Sequence, residues 1–521
     1  METSLPAVIR SMLKPAFYPH PVTEPVKLVQ THGSYVLLTG DWVYKVKKAV
    51  DFGFLDYSTL ERRKMFCDRE IELNKRGVEG LYVETVPIYG GAGDSYSFEA
   101  AGEPVEYAVK MHQFPQEDLL STRFDAGDLP SDRIVELAKR VAEFHLSAPT
   151  DKTIRSYGTA DRVKSTLDQN FKQTESYIGG PQTQRQYNET RAWTDAFFAN
   201  NGELLQSRVD NHWIRNGHGD LHLGNICLWQ DKVALFDCIE FNEQFRFVDV
   251  MYDVAFTVMD LDHRGRSDLA NLFLNTYVER TGDWEGLGVL PLYLSRQSYV
   301  RAKVTSFLLD DTGVPEGDRQ AANRSAAAYY TQAHAYTNAT KNATEGKLLI
   351  MSGVSGSGKS TIAKQLAEIY AQEHGQAQKT IIIRSDAVRK HLGNVPLGDR
   401  GPASLYTAGM SAKTYQRLQD LGIELVQRGY TVILDAKYDR HALRQSVINA
   451  AKGAGIDVKI IACATPREVL AQRLRDRTGD IADATVDLLD QQLANAEPLT
   501  AEEMAIAQTI DTTRELKPQL A

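Results

Sequence analysis

Residues 347–361 read KLLIMSGVSGSGKST: an apolar run, a glycine-rich turn, then a helix-compatible stretch reaching residue 370. Strand, loop and helix in that order make a phosphate-binding loop. Gly353, Gly356 and Gly358 let the backbone wrap close to phosphate oxygens and, with Ser355 and Ser357, aim successive N–H groups at them. The following helix adds the positive end of its dipole. Lys359 would reach the β- and γ-phosphates, the Ser360 hydroxyl would bind magnesium, and Thr361 closes the nucleotide-binding run. A flexible Gly/Ser linker would need neither the Lys-Ser pair nor an apolar strand before it.

Outward from this loop, β-branched apolar runs alternate with helical patterns. Strands are expected at 380–385, 430–434 and 458–464, and a helix at 466–477. That alternation predicts an α/β domain: a parallel sheet covered by helices, with ligands at the carboxyl ends of the strands. Asp386 and Asp435 fall at those ends. Asp435, after four apolar residues, reads as the carboxylate that holds magnesium directly or through water. Asp386 is the candidate base that takes the acceptor hydroxyl proton; the alternative is a helix cap.

The P-loop, the segment Ser385-Asp386-Ala387-Val388-Arg389, the strand end at Asp435 and the Arg473-Leu474-Arg475-Asp476-Arg477 helix resemble a group of small P-loop kinases. That group contains gluconate kinases, polynucleotide 5'-kinases and zeta-type toxins, and the likeness covers roughly residues 346–521. An arginine-bearing lid closes over the phosphates in that group, so the resemblance implies Arg473 and Arg477 as stabilisers of the transferring phosphoryl group. Arg389 is a candidate acceptor contact, with residues 393–409 as the acceptor-side flap.

A second phosphate device stands earlier in the chain. Residues 217–225 read GHGDLHLGN, followed by a strand at 233–236 and Asp237. The Asp-x4-Asn spacing is that of a kinase catalytic loop. Asp220 would orient and deprotonate the acceptor hydroxyl, while Asn225 and Asp237 would hold magnesium. Upstream, a strand pair at 35–38 and 42–46 carries Lys45, and a charged helix at 58–76 carries Glu70; their pairing would place lysine on the nucleotide phosphates. Lys47 shares the strand face of Lys45, and Glu72 neighbours Glu70, so both remain alternatives. Asp249 and Asp253 read as scaffold carboxylates on a helix, His222 as a stiffener of the loop, and Glu240 is unassigned.

Across roughly residues 25–335 this half resembles the aminoglycoside phosphotransferase family, a branch of the protein-kinase-like fold, with His218-Gly219-Asp220-Leu221-His222 the most specific part of the match. The resemblance implies an α+β bilobal kinase domain, N-lobe about 1–112 and C-lobe about 113–335, with residues 106–112 as the hinge strand beside the adenine. The stretch Thr31-His32-Gly33-Ser34 departs from a glycine-rich phosphate cover.

At 521 residues, two domains or more are expected. The boundary is expected near residue 340, dividing 1–340 from 341–521, where an alanine- and tyrosine-rich helical stretch dissolves into Thr, Asn and Lys. No secretory leader or membrane span is read in the chain, so the cytoplasm is the expected compartment. Four scattered cysteines suggest reduced thiols, not a disulfide or zinc framework. A net charge of -9 weighs against nucleic acid as a partner. The reading is a bifunctional magnesium-dependent kinase, each half moving the γ-phosphoryl group of ATP or GTP to a small-molecule hydroxyl, a sugar or amino sugar first. The alternatives are one active half regulated by nucleotide at the other, or a nucleic-acid or protein kinase.

Overall fold

Trp42–Lys47 (WVYKVK) buries Val43 and Val46 on opposite faces, as a strand does in a sheet that is covered on both sides. In the computed structural model it is β3 of a six-stranded sheet with β1 (Lys27–Gln30), β2 (Ser34–Leu38), β4 (Tyr82–Gly90), β5 (Tyr96–Ser97) and β6 (Pro104–His112), in the order β1-β2-β3-β6-β4-β5. Neighbouring strands run antiparallel. The Leu60–Asn74 helix starts at Thr59, whose hydroxyl accepts from Arg62 N–H at 3.3 Å. Its inward face repeats at helical spacing as Arg63, Phe66, Cys67, Glu70, Ile71 and Asn74. Cys67 and Ile71 join Val43, Val109 and Met111 in one core. Glu70 sits on that same face and is wholly buried, so it needs cationic partners.

The described residues are 5–22, 25–91, 95–99, 102–311, 313–341 and 346–520. They form two compact units, Met1–Thr159 with Val209–Asp253 and Ala160–Arg208 with Val254–Ala521. Packing therefore groups the helices of residues 160–208 and 254–341 with the P-loop sheet, although the change in sequence character lies near residue 340.

In the first unit, β7 (Ile214–Asn216), β8 (Ile226–Trp229), β9 (Lys232–Leu235) and β10 (Phe247–Asp249) form two antiparallel pairs, β7 with β10 and β8 with β9. Gln230 and Asp231 join β8 to β9 with φ of 52° and 60°, the backbone of a type I′ turn. Asp249, expected on a helix, instead ends β10. The helix starts one residue later, at Val250, and carries Asp253.

The second unit holds a wholly parallel sheet of β11 (Leu348–Ser352), β12 (Thr380–Arg384), β13 (Thr431–Asp435), β14 (Val458–Ala464) and β15 (Ala507–Asp511), ordered β12-β13-β11-β14-β15. Every residue of β11, β12 and β13 is buried, which is why these runs are continuously apolar instead of alternating. The Lys359–His374 helix lays Ile362, Ala363, Leu366 and Ala367 against Leu349, Met351, Ile382 and Ile461. β12 stops at Arg384, one residue earlier than expected. Asp386 therefore lies in the first turn of the Ser385–Leu392 helix, and its side chain is not the cap.

The four cysteines are free thiols, three of them buried, and burial pushes each pKa up to about 12. Among the described residues, no helix is long and apolar enough to cross a membrane.

Acid sensitivity in the second unit centres on Glu503. Its carboxylate accepts from Arg444 Nε at 2.9 Å and Nη2 at 3.0 Å, and from Thr500 N–H at 2.9 Å within a capping box. Arg444 is wholly buried. Burial opposes the charge, but these donors outweigh it and lower the pKa from 4.5 to about 2. The stabilisation is thus complete above pH 4.5 and is lost as pH falls toward 2. Urea melts at stepped pH should show Glu503→Gln less stable than wild type at neutral pH, with the difference closing across that window.

Candidate active sites

The first site begins with a chain of buried charges. Lys45 Nζ donates to Glu70 Oε1 at 2.8 Å and to Asp237 Oδ1 at 2.6 Å. Lys47, two residues along and on the same face, donates to Glu70 Oε2 at 2.7 Å and pairs with Glu240, which also accepts from the Tyr57 hydroxyl. Burial works against the Lys47 ammonium, yet Glu240 and Glu70 outweigh it and hold its pKa above the ordinary value. Glu70 is likewise opposed by burial and lowered to about 2 by Lys45 and Lys47. Both lysines left open by the sequence thus meet Glu70. Only Lys45 also reaches Asp237; Lys47 is sealed in. Glu72 has no part in this chain of contacts.

The loop of residues 217–225 is built on close backbone approach. Asp253 accepts from His218 N–H at 2.7 Å and Gly219 N–H at 2.8 Å, and contacts His145 Nε2 at 3.2 Å. A Cβ on Gly217 would stand 2.5 Å from Asp253 Oδ2, and one on Gly219, at φ +92°, 2.6 Å from the Phe245 carbonyl. Both positions therefore require glycine. His218 Nε2 meets the Phe236 carbonyl at 2.9 Å, and burial lowers its pKa. Asp220 Oδ2 accepts from Asn225 Nδ2 at 3.0 Å, with His222 Nε2 3.4 Å away. His222 Nδ1 accepts from Gly224 N–H at 3.1 Å, bracing the turn. Asp237 adopts φ +59°, a left-handed conformation costly for a side chain other than glycine, and its backbone N–H donates to the Tyr82 hydroxyl at 3.1 Å.

In the second site Gly353, Gly356 and Gly358 all have positive φ, of 145°, 82° and 86°. A Cβ on Gly353 would lie 2.7 Å from Ser357 Oγ, and one on Gly358 3.1 Å from Arg473. Ser355 N–H donates to Gln492 Oε1 at 2.9 Å. Lys359, largely buried, folds its ammonium onto the Val354 carbonyl at 2.8 Å, and burial lowers its pKa. Ser360 and Thr361 open the following helix, Thr361 being exposed. Arg473 donates to the Thr512 hydroxyl at 2.9 Å and the Thr512 carbonyl at 2.8 Å, against the back of the loop. Arg477 Nη1 is enclosed without a hydrogen-bond partner.

Asp435 is buried at the end of β13, and its Oδ2 accepts no hydrogen bond, facing Arg384 Nε at 3.5 Å. Burial raises the pKa of Asp386. Arg389 donates from Nη1 to the Leu405 carbonyl at 2.9 Å and Ser411 Oγ at 3.2 Å, which ties it to the expected flap. Its Nε is buried and unpartnered. Asp483 accepts from Gly401 N–H at 2.9 Å and from the Tyr406 hydroxyl, so residues beyond Arg477 reach the same flap. Sequence reasoning missed Arg384, Asp480, Asp483 and Gln492. Arg384 ends an apolar strand, a signal available in the sequence; the other three are loop or helix polar residues that only folding brings in.

Among the described residues no three His, Cys, Asp or Glu side chains converge as a metal cage. Magnesium takes one or two carboxylates and keeps its waters and phosphate oxygens. Asp435 with Ser360, and Asp237 with Asn225, fit that sparse set, and the unpartnered buried Oδ2 of Asp435 favours it.

Residues 348–499 match the family model described as an AAA domain. Over 476 residues, the chain is 28% identical to uncharacterized proteins of Mycobacterium tuberculosis and Mycobacterium bovis, covering 90% of each chain. Similar solved structures include a choline/ethanolamine kinase family protein from Mesorhizobium loti (11% identity, 64% of this chain and 99% of that one, TM-score 0.37). A gluconokinase from Sinorhizobium meliloti is another (22% identity, 33% and 84%, TM-score 0.24). The chain carries an α+β fold built on an antiparallel sheet and an α/β fold built on a parallel sheet with a P-loop.

The two lysines should separate by measurement. Lys47→Ala leaves Glu240 without its cation and Glu70 with Lys45 alone, and should cost about 3–5 kcal/mol of stability, seen as a lowered urea midpoint. Lys45→Ala, at a partly open position, should leave the midpoint nearer wild type while suppressing nucleotide turnover.

Proposed function

We propose that the chain is a bifunctional phosphotransferase, each half moving the γ-phosphoryl group of ATP or GTP to a hydroxyl of a small molecule. The observation that carries the reading is the convergence in the first unit of Lys45, Glu70 and Asp237 from three separate segments, with Asp220 hydrogen-bonded to Asn225. A structural ion pair needs none of the loop glycines or the strained Asp237 backbone.

In the first unit Asp220 orients the acceptor hydroxyl and takes its proton as the oxygen bonds to the γ-phosphorus. The bond from that phosphorus to the bridging oxygen breaks, and the nucleoside diphosphate leaves. Lys45, fixed by Glu70, binds the nucleotide phosphates. In the P-loop half Asp386 serves as the base, Lys359 leaves the Val354 carbonyl for the phosphates, and Arg473 and Arg477 stabilise the developing charge. The loop N–H groups of residues 353–361 bind the phosphates, and Arg389 contacts the acceptor. Asn225 and Asp237, and Ser360 and Asp435, would hold magnesium, which would supply neutralisation of phosphate charge. The raised pKa of Asp386 suits a proton acceptor.

The division of labour is 1–340 and 341–521. A sugar or amino sugar is the proposed acceptor of the first half, from its resemblance to aminoglycoside phosphotransferases; dependence on ATP or GTP makes the cytoplasm the proposed compartment.

Incubation with magnesium, ATP and a metabolite extract, followed by mass spectrometry, tests the assignment. Asp220→Ala should abolish one set of phosphorylated products and Lys359→Ala another, each by about 100-fold or more. Persistence of every product in both variants would overturn both sites.

A further inference from the structure

The helix Leu290–Phe307 packs against the helix Ala160–Gln173, and Lys303 joins the two. Its Nζ donates to Asn170 Oδ1 at 2.6 Å and to Gln173 Oε1 at 3.0 Å. Both partners are neutral carboxamides. Tyr299, one turn earlier on the same helix, is taken up by Thr174 at 2.6 Å and Gln182 at 3.0 Å. The nearest carboxylate along the chain, Asp310, accepts from the Tyr177 hydroxyl at 2.5 Å. Among the described residues, the charge that bears on Lys303 is the Arg296 guanidinium, about two helical turns before it, cation against cation.

Such surroundings suit an amine better than an ammonium. A buried lysine ordinarily answers to a carboxylate, as Lys47 does. An ammonium carries three N–H donors, whereas the neutral amine has two and a lone pair. The two carboxamide oxygens match the neutral form and leave the lone pair for an electrophile. Burial, reinforced by Arg296, pushes the Lys303 pKa down to about 8. The side chain is only partly buried, and solvent is close: Gln173 is exposed, as are Val304 and Phe307 beside Lys303.

We propose that Lys303 is an acylation site, taking its acyl group from a small acyl phosphate. The Nζ lone pair attacks the carbonyl carbon and an amide bond forms. The bond from that carbon to the phosphate oxygen breaks, inorganic phosphate leaves with the electron pair, and the amine proton passes through water to the phosphate. Arg296 favours an anionic donor for the same reason that it disfavours an ammonium. The product is uncharged, so acylation removes the repulsion between the two cations. The site shares no residue with either proposed phosphotransfer site, and acylation there needs neither of them to work.

The test incubates the full chain with acetyl phosphate, without nucleotide, and follows acetylation of each lysine by peptide mass spectrometry. At about pH 7.5 Lys303 should acetylate about 10-fold or more faster than Lys172, an exposed lysine on the facing helix, because its uncharged share is large. The Lys303 rate should level off above a midpoint of about 8. Asn170→Asp and Gln173→Glu each set a carboxylate against Lys303, hold it as the ammonium, and should slow its acetylation about 10-fold. Gln173→Glu lies at the surface, so it reads the effect even if Asn170→Asp fails to fold. Acetylation of Lys303 no faster than that of Lys172, or a rate that Gln173→Glu leaves unchanged in a folded chain, overturns the proposal and leaves both phosphotransferase readings standing.

Discussion

An ammonium group with no route to water is costly unless carboxylates flank it, and Lys47 is held in this way by Glu70 and Glu240. The constraint reaches outward. Glu70 must face the sheet from a helix stripe it shares with Phe66, Cys67 and Ile71, and that fixes where Lys45 can end. Lys45 in turn meets Asp237 at the mouth of the catalytic loop. The same rule operates around Arg384, whose single positive charge answers to three carboxylates. In both units a buried ion-pair network fixes a charged residue of the proposed site.

Much of this was legible because phosphate chemistry is demanding of sequence. Gly353, Gly356 and Gly358 announce themselves, since the loop they make tolerates no side chain at those conformations, and the all-buried strands of a parallel sheet read as continuous apolar runs. The Asp220-x4-Asn225 spacing is local and survives any packing. Less legible was the choice between Lys45 and Lys47. Alternation in a strand puts both on one face, and only the position of Asp237, some 190 residues away in sequence, tells them apart. Asp249, read on a helix, ends a strand that the sequence did not announce, and β12 stops one residue short of expectation; at both places strand passes straight into helix with no turn residue to mark the change.

Least legible was the grouping of helices 160–208 and 254–341 with the P-loop sheet. Resemblance assigns those helices to the kinase-like half, and nothing in a helix sequence states which sheet it will cover. The edge of β12 shows the physical reason. Its partners are side-chain amides at helical spacing, a pattern that in sequence is indistinguishable from solvent-facing asparagines.

That amide ladder also bears on self-association. The outermost strand of a parallel sheet exposes backbone donors and acceptors on which a foreign strand can grow. Here Thr380 N–H, the Thr380 carbonyl and Ile382 N–H are already engaged by Asn271 and Asn275, and every residue of the strand is covered. A P-loop domain cut free at residue 346 would bare a flat, β-branched template, Thr-Ile-Ile-Ile, of the kind that recruits its own copies. The helical segment thus closes the sheet edge on which a foreign strand would otherwise grow.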